Sequence, residues 1–188
     1  MLQLKTPQLL VIAVASLMAF ASSASATPVL TSPAGTEYTG TIEATMASGT
    51  SSIMKAGIED TCIQSTATGT VSSNSEVHAF GNGNVNTGIC THHTTTITGG
   101  SLTINDKGEV FTSGSRVEVV VTGIATCFYG AETGSVKIGT LTGGSPARID
   151  ISTTHLKREA GSSPFWCAAE ATWLSEYVVT KPLSLFLT

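Results

Sequence analysis

TLTGGSPARIDIS, residues 140–152, holds the pattern that decides the fold. In ARIDIS, Ala147, Ile149 and Ile151 fall on one face, and Arg148, Asp150 and Ser152 on the other. That period of two marks a half-buried strand. The stretch has an echo, TITGGSLTI at 96–104. In both copies T-[IL]-T-G-G-S reads as a strand end, a turn on two glycines and the start of the next strand. A repeated hairpin unit is one explanation. Chance is the other, because the chain is rich in Thr and Gly and the spacing differs: nine residues separate Cys90 from Gly99, sixteen separate Cys127 from Gly143.

Alternation recurs in RVEVVV, where Val117, Val119 and Val121 share a face and Val120 adds to the other. TWLSEYVV aligns Trp173, Tyr177 and Val179, and LSLFL aligns Leu183, Leu185 and Leu187. Turn chemistry separates these runs: NDKG at 105–108, with Gly108 free to take positive φ, then GNGN at 81–84, TSGS at 112–115, ETGS at 132–135 and GSSP at 161–164. Pro182 ends or edges the strand before it. EATMASG is the nearest approach to a helical period, and its Thr and Gly weaken it. The pattern predicts an all-β fold, a two-sheet sandwich of immunoglobulin-like or Greek-key type.

The first residues read as an address. Lys5 precedes an apolar run from Leu9 to Ala21, and Ala24 and Ala26 form an A-x-A site before Thr27. This is the layout of a cleaved secretory signal peptide over residues 1–26. The run is shorter than the roughly 20 residues a spanning helix needs. No cysteine stands near the cut to take a lipid. Cleavage would leave 27–188 as a single domain, 162 of the 188 residues, secreted or at the cell surface.

Charge is scarce, at 12% of residues, about half the ~25% of an ordinary soluble domain. In its place stand 30 Thr and 22 Ser. Thr suits a pleated surface, with its branched carbon in the strand and its hydroxyl toward water. Without Lys5 there are 8 basic against 13 acidic residues, a net charge of −5, with no basic cluster. Nucleic acid, whose phosphates demand positive charge, is therefore disfavoured as a partner.

Cys62, Cys90, Cys127 and Cys167 make an even set in an exported chain, which predicts disulfides in one of three connectivities. No C-x-x-C occurs, so zinc-ribbon and thioredoxin-type sites are disfavoured. If the echoes are equivalent units, Cys90 and Cys127 are equivalent and do not pair with each other. That removes one connectivity of the three, and the expected pairing is Cys62–Cys90 and Cys127–Cys167. Trp166, beside Cys167, reads as packing on a disulfide. The rival reading exposes Tyr129, Phe165 and Trp166 to stack on a sugar or another apolar ligand.

Catalytic signatures are thin. Asp150 and His155 offer parts of a Ser-His-Asp triad, but no G-x-S-x-G elbow accompanies them. The Gly-Gly-Ser turns lack the G-K-[ST] of a phosphate loop. His92 and His93 would point to opposite faces of a strand, and nothing in the spacing joins them to His78 or His155, so no metal site is expected. Glu59 and Asp60 are the one adjacent carboxylate pair. Glu109 and Glu118, set across a hairpin, would suit a glycosidase pair, although solvent-facing charge explains them more simply. NDKGE has too few ligands for a calcium loop. No cofactor is indicated.

CFYG (127–130), GTLTGGSPARIDI (139–151) and CAAEATWLSEYVVTKPLSLFL (167–187) resemble a group of small secreted bacterial proteins, actinobacterial ones especially, with no assigned activity. The likeness covers roughly 60 residues of the final third. It implies export, a β-rich fold and disulfides, and supplies no catalytic residues. The expected function is that of a non-enzymatic exported protein whose partner is an extracellular ligand, polymer or protein, or which belongs to the cell envelope. Loops such as GNGNVNTG (81–88) and hydroxyl-rich faces would make the contacts. A secreted hydrolase inhibitor and a secreted hydrolase are the alternatives.

Overall fold

The computed structural model describes residues 29–57, 59–75, 78–91, 93–98, 100–121, 123–130, 134–163 and 165–188. The expected leader, residues 1–26, and His92 lie outside these. Fifteen strands follow in order: β1 (Leu30–Thr31), β2 (Gly40–Met46), β3 (Ser52–Lys55), β4 (Glu59–Cys62), β5 (Ser65–Asn74), β6 (His78–Thr87), β7 (His93–Thr98), β8 (Ser101–Asn105), β9 (Glu109–Ser113), β10 (Arg116–Val121), β11 (Ala125–Gly130), β12 (Val136–Thr142), β13 (Arg148–Arg158), β14 (Glu170–Lys181) and β15 (Phe186–Leu187).

Several of these are halves of one bent strand. β2 and β3 both pair with β14, and β7 and β8 both pair with β6. β9 and β10 continue each other, and so do β11 and β12. Neighbouring strands pair antiparallel all the way round the ring β2–β5–β6–β8–β9–β12–β13–β14, which closes where β14 meets β2. The fold is all-β, as expected, but it is a closed eight-stranded barrel and not two stacked sheets. The physical reason is the last pairing. β14 meets β2 at Tyr177↔Met46, Val178↔Thr45 and Val179↔Ala44, so neither strand is left as an open edge.

The echo has two meanings. After Thr98 the chain runs on from β7 into β8, and Gly100 serves a kink: it has φ 81°, and a side chain there would collide with the Ser115 backbone. At 140–145 the chain reverses between β12 and β13, and the C-terminal segment lies against Gly143 and Gly144. The copies are not equivalent units. The disulfides nonetheless pair as Cys62–Cys90 and Cys127–Cys167. Each joins a strand to a connection: β4 to the segment between β6 and β7, and β11 to the segment between β13 and β14.

The turn at 105–108 is a hairpin with Gly108 at φ 74°, held by the Asn105 carboxamide oxygen, which accepts from the N–H groups of Lys107 and Glu109 at 3.0 and 2.9 Å. GNGN at 81–84 is not a turn. It lies inside β6, with Gly81 and Gly83 facing in and Asn82 and Asn84 facing out. LSLFL is only partly a strand: Leu185 is fully buried, while Leu183 is exposed. The end opposite the disulfides is stoppered by a short ribbon, Leu30↔Leu187 and Thr31↔Phe186, which carries buried Val29 and Leu30. Asn74 clamps it: its carboxamide accepts from the Leu30 N–H at 3.0 Å and donates to the carbonyls of Leu30 and Tyr38 at 2.6 and 3.0 Å.

Candidate functional site

Alternation sends one side chain in two into the barrel. In β14 the buried residues are Ala171, Trp173, Ser175, Tyr177 and Val179, and the residues between them face out. β13 contributes Ile149, Ile151 and Leu156. An eight-stranded barrel is just wide enough for side chains to fill it or for one small ligand to lodge there. Here the filling is incomplete. An apolar chamber of about 130 Å³ remains, walled on one side by Ala67, Gly69, Ala79, Gly81 and Gly83 and on the other by Ile151, Leu156, Trp173 and Tyr177. None of its lining side chains is charged among the described residues.

The glycines explain the space. β5 and β6 approach so closely that a Cβ on Gly81 would strike the Thr70 carbonyl oxygen, and one on Gly69 would meet the Asn82 carbonyl oxygen. Between Val71 and Val85, that wall therefore presents only glycine and alanine to the interior.

Polar atoms in the lumen are paired at its aromatic side. Tyr177 OH lies 2.7 Å from Ser65 Oγ. Ser65 gives its one proton to the Asn86 carbonyl at 3.2 Å, so Tyr177 is the donor. Trp173 Nε1–H donates to Ser52 Oγ at 3.1 Å, and the two aromatic rings meet edge-on at 6.5 Å. Tyr129 OH donates to the Ala56 carbonyl at 3.2 Å. Burial pushes the Tyr177 phenol above its ordinary pKa, and the neighbouring hydroxyls of Ser175, Ser65 and Ser52 oppose the shift. Burial likewise raises Tyr129, against the nearby Arg158 charge. Ser175 Oγ is buried and makes no hydrogen bond.

The sequence-derived candidates separate. Tyr129 is 0% exposed and belongs to the interior, so it is not a surface stacking residue. Phe165 and Trp166 are 92% and 62% exposed, which overturns the packing of Trp166 on a disulfide. Trp173 is the buried tryptophan. Glu109 and Glu118 lie along the same bent strand and do not oppose each other; Lys137 and Asn105 bind Glu109 at 2.8 Å each. Asp150 faces solvent. Asp60 stands close to the Cys62 and Cys90 sulfurs, but these are bonded to each other and offer no thiolate to a metal. The chamber itself was missed. Its signal was small residues at inward positions of two adjacent strands.

An outer-membrane barrel turns an apolar belt outward. This barrel is built the other way: Thr66, Thr68, Thr70, Asn82, Asn84 and Asn86 form exposed ladders outside, and Val, Ile and aromatic side chains fill the inside. No helix among the described residues is long and apolar enough to cross a membrane. Two disulfides are compatible with an oxidising extracellular environment. No protein-family model matches the chain, and neither does any curated protein or any solved structure.

Proposed function

We propose that this is an exported, non-enzymatic binding protein whose barrel lumen takes a small, uncharged, hydrocarbon-rich ligand. The observation that carries the reading is the chamber: lined by strands, apolar, and without a charged lining side chain among the described residues. Its 130 Å³ is close to the ~150 Å³ at which an apolar cavity stays dry and accepts benzene. An ionised ligand would lose its hydration there with nothing to replace it. The resemblance to secreted actinobacterial proteins and the two disulfides support export.

Benzene and 1-hexanol are the probes. Each should raise the melting temperature in proportion to the logarithm of its concentration, as a ligand of the folded state does, while benzoate should not. Crystals equilibrated with benzene should show it between Gly83 and Tyr177. Failure of every neutral probe to shift melting, or an equal shift from benzoate, would sink the proposal.

A further inference from the structure

The connection between β13 and β14, residues 159–169, holds two large aromatics out in water on a loop that is pinned from beneath. Cys167 is bonded to Cys127, and its N–H donates to the Ser163 carbonyl at 2.9 Å. Ser162 Oγ accepts from the Phe128 N–H at 2.8 Å and lies 3.2 Å from the Phe128 carbonyl. Arg158 donates to the Cys167 carbonyl at 2.6 Å, and the Ala168 N–H reaches the Ala56 carbonyl at 3.4 Å. These anchors flank Phe165 and Trp166, which are both exposed. Ile124, also exposed, projects from the turn between β10 and β11 at the same end.

We infer that Phe165 and Trp166 form a docking tip that seats the disulfide end of the barrel on a zwitterionic lipid surface. Three observations select this occupant. A sugar site needs polar side chains beside the ring. Most of those here are already engaged: Ser162 with Phe128, Arg158 with Cys167, and Glu159 with Arg116 at 3.1 Å, which leaves the single hydroxyl of Ser163. A second copy of the chain would need roughly 800 Å² from each partner. Two aromatics at ~150–250 Å² each, with one isoleucine, fall well short. Three cations of this end are paired with anions, Lys55 with Glu59, Arg116 with Glu159 and Lys157 with Glu170, and Arg158 is turned onto the Cys167 carbonyl, so they form no basic cluster that favours anionic lipid or an acidic protein. A projecting, uncharged tip of Phe and Trp is what the headgroup boundary of a bilayer accepts. This surface is separate from the chamber, and its docking does not depend on what the chamber holds.

The test floats the purified, oxidised protein with phosphatidylcholine vesicles. The wild type should float with them, and Phe165→Ser combined with Trp166→Ser should bind at least about tenfold more weakly, given the apolar area removed. Vesicles brominated in their acyl chains should quench the wild-type fluorescence. Trp166→Phe, which keeps the apolar surface and leaves Trp173 as the one remaining tryptophan, should still float but lose that quenching. The inference is overturned if the wild type stays in solution, if the double serine variant floats equally well, or if binding needs anionic lipid and disappears with salt. It is also overturned if the wild type sediments as a dimer that the serine variant abolishes.

Discussion

The wall made by β5 and β6 and the wall made by β13 and β14 do opposite things with the same geometry. Both are antiparallel pairs that turn every second residue inward. The first puts in Ala67, Gly69, Ala79, Gly81 and Gly83 beside only Val71 and Val85; the second puts in Ile149, Ile151, Leu156, Trp173 and Tyr177. Outside, the thin wall carries Thr and Asn ladders. The thick wall carries charge pairs, Arg148 with Glu176 and Lys157 with Glu170. The chamber is the difference between the two interiors. Large side chains reach across from one wall, and too little comes back from the other to meet them.

The sharpest way to break this contrast is to empty the thick wall. Trp173→Ala should cost about 3–5 kcal/mol by urea unfolding, as for other buried large aromatics, and should widen the chamber to admit bulkier neutral probes. Filling the thin wall comes next. Gly81→Ala drives a methyl group into the Thr70 carbonyl, which cannot move without parting β5 from β6. An overpacking cost of about 2–3 kcal/mol is expected in the same assay.

Tyr177→Phe should cost about 1 kcal/mol, because Ser65 keeps its bond to Asn86. It should also change the alkaline limb. The folded pKa of Tyr177 is raised above its ordinary 10.0. The stability it contributes is therefore complete below pH 10 and is lost as pH rises through the folded value. The phenylalanine variant should lose less stability over that range, read by chemical unfolding at stepped pH. The smallest effect is at Gly83→Ala, two residues from Gly81 on the same strand. Its methyl presses on the movable tip of Leu102 and lies at ordinary contact distance, 3.4 Å, from the Thr68 carbonyl. Stability should move by less than about 1 kcal/mol, while benzene binding weakens about fourfold, the worth of one methylene.

Strand composition was legible in the sequence. ARIDIS, RVEVVV and TWLSEYVV state their inward faces, and the structure buries Ile151, Val117, Val119, Trp173 and Tyr177 accordingly. Closure was not legible, because the inward face of a barrel strand and that of a sandwich strand have the same period. What separates them is whether Met46 finds Tyr177 across most of the chain. GNGN misled because glycine and asparagine are turn formers. Read at period two, Gly81, Gly83 and Val85 are one face, and Asn82, Asn84 and Asn86 the other. The disulfide pairing came out correctly from a premise that the two TGGS segments do not support. The exposure of Phe165 and Trp166 was open in the sequence, because an aromatic beside a cysteine looks the same whether it packs or projects.

The seam between β2 and β14 carries one more consequence. The disulfides span 28 and 40 residues and link segments that are near in sequence, so neither crosses that seam. Sulfur chemistry can therefore run to completion on a ribbon of hairpins whose first and last strands have not yet met. Oxidation staples local pieces, and only backbone pairing, with Lys181 reaching Glu43 at 3.2 Å, turns the ribbon into a tube.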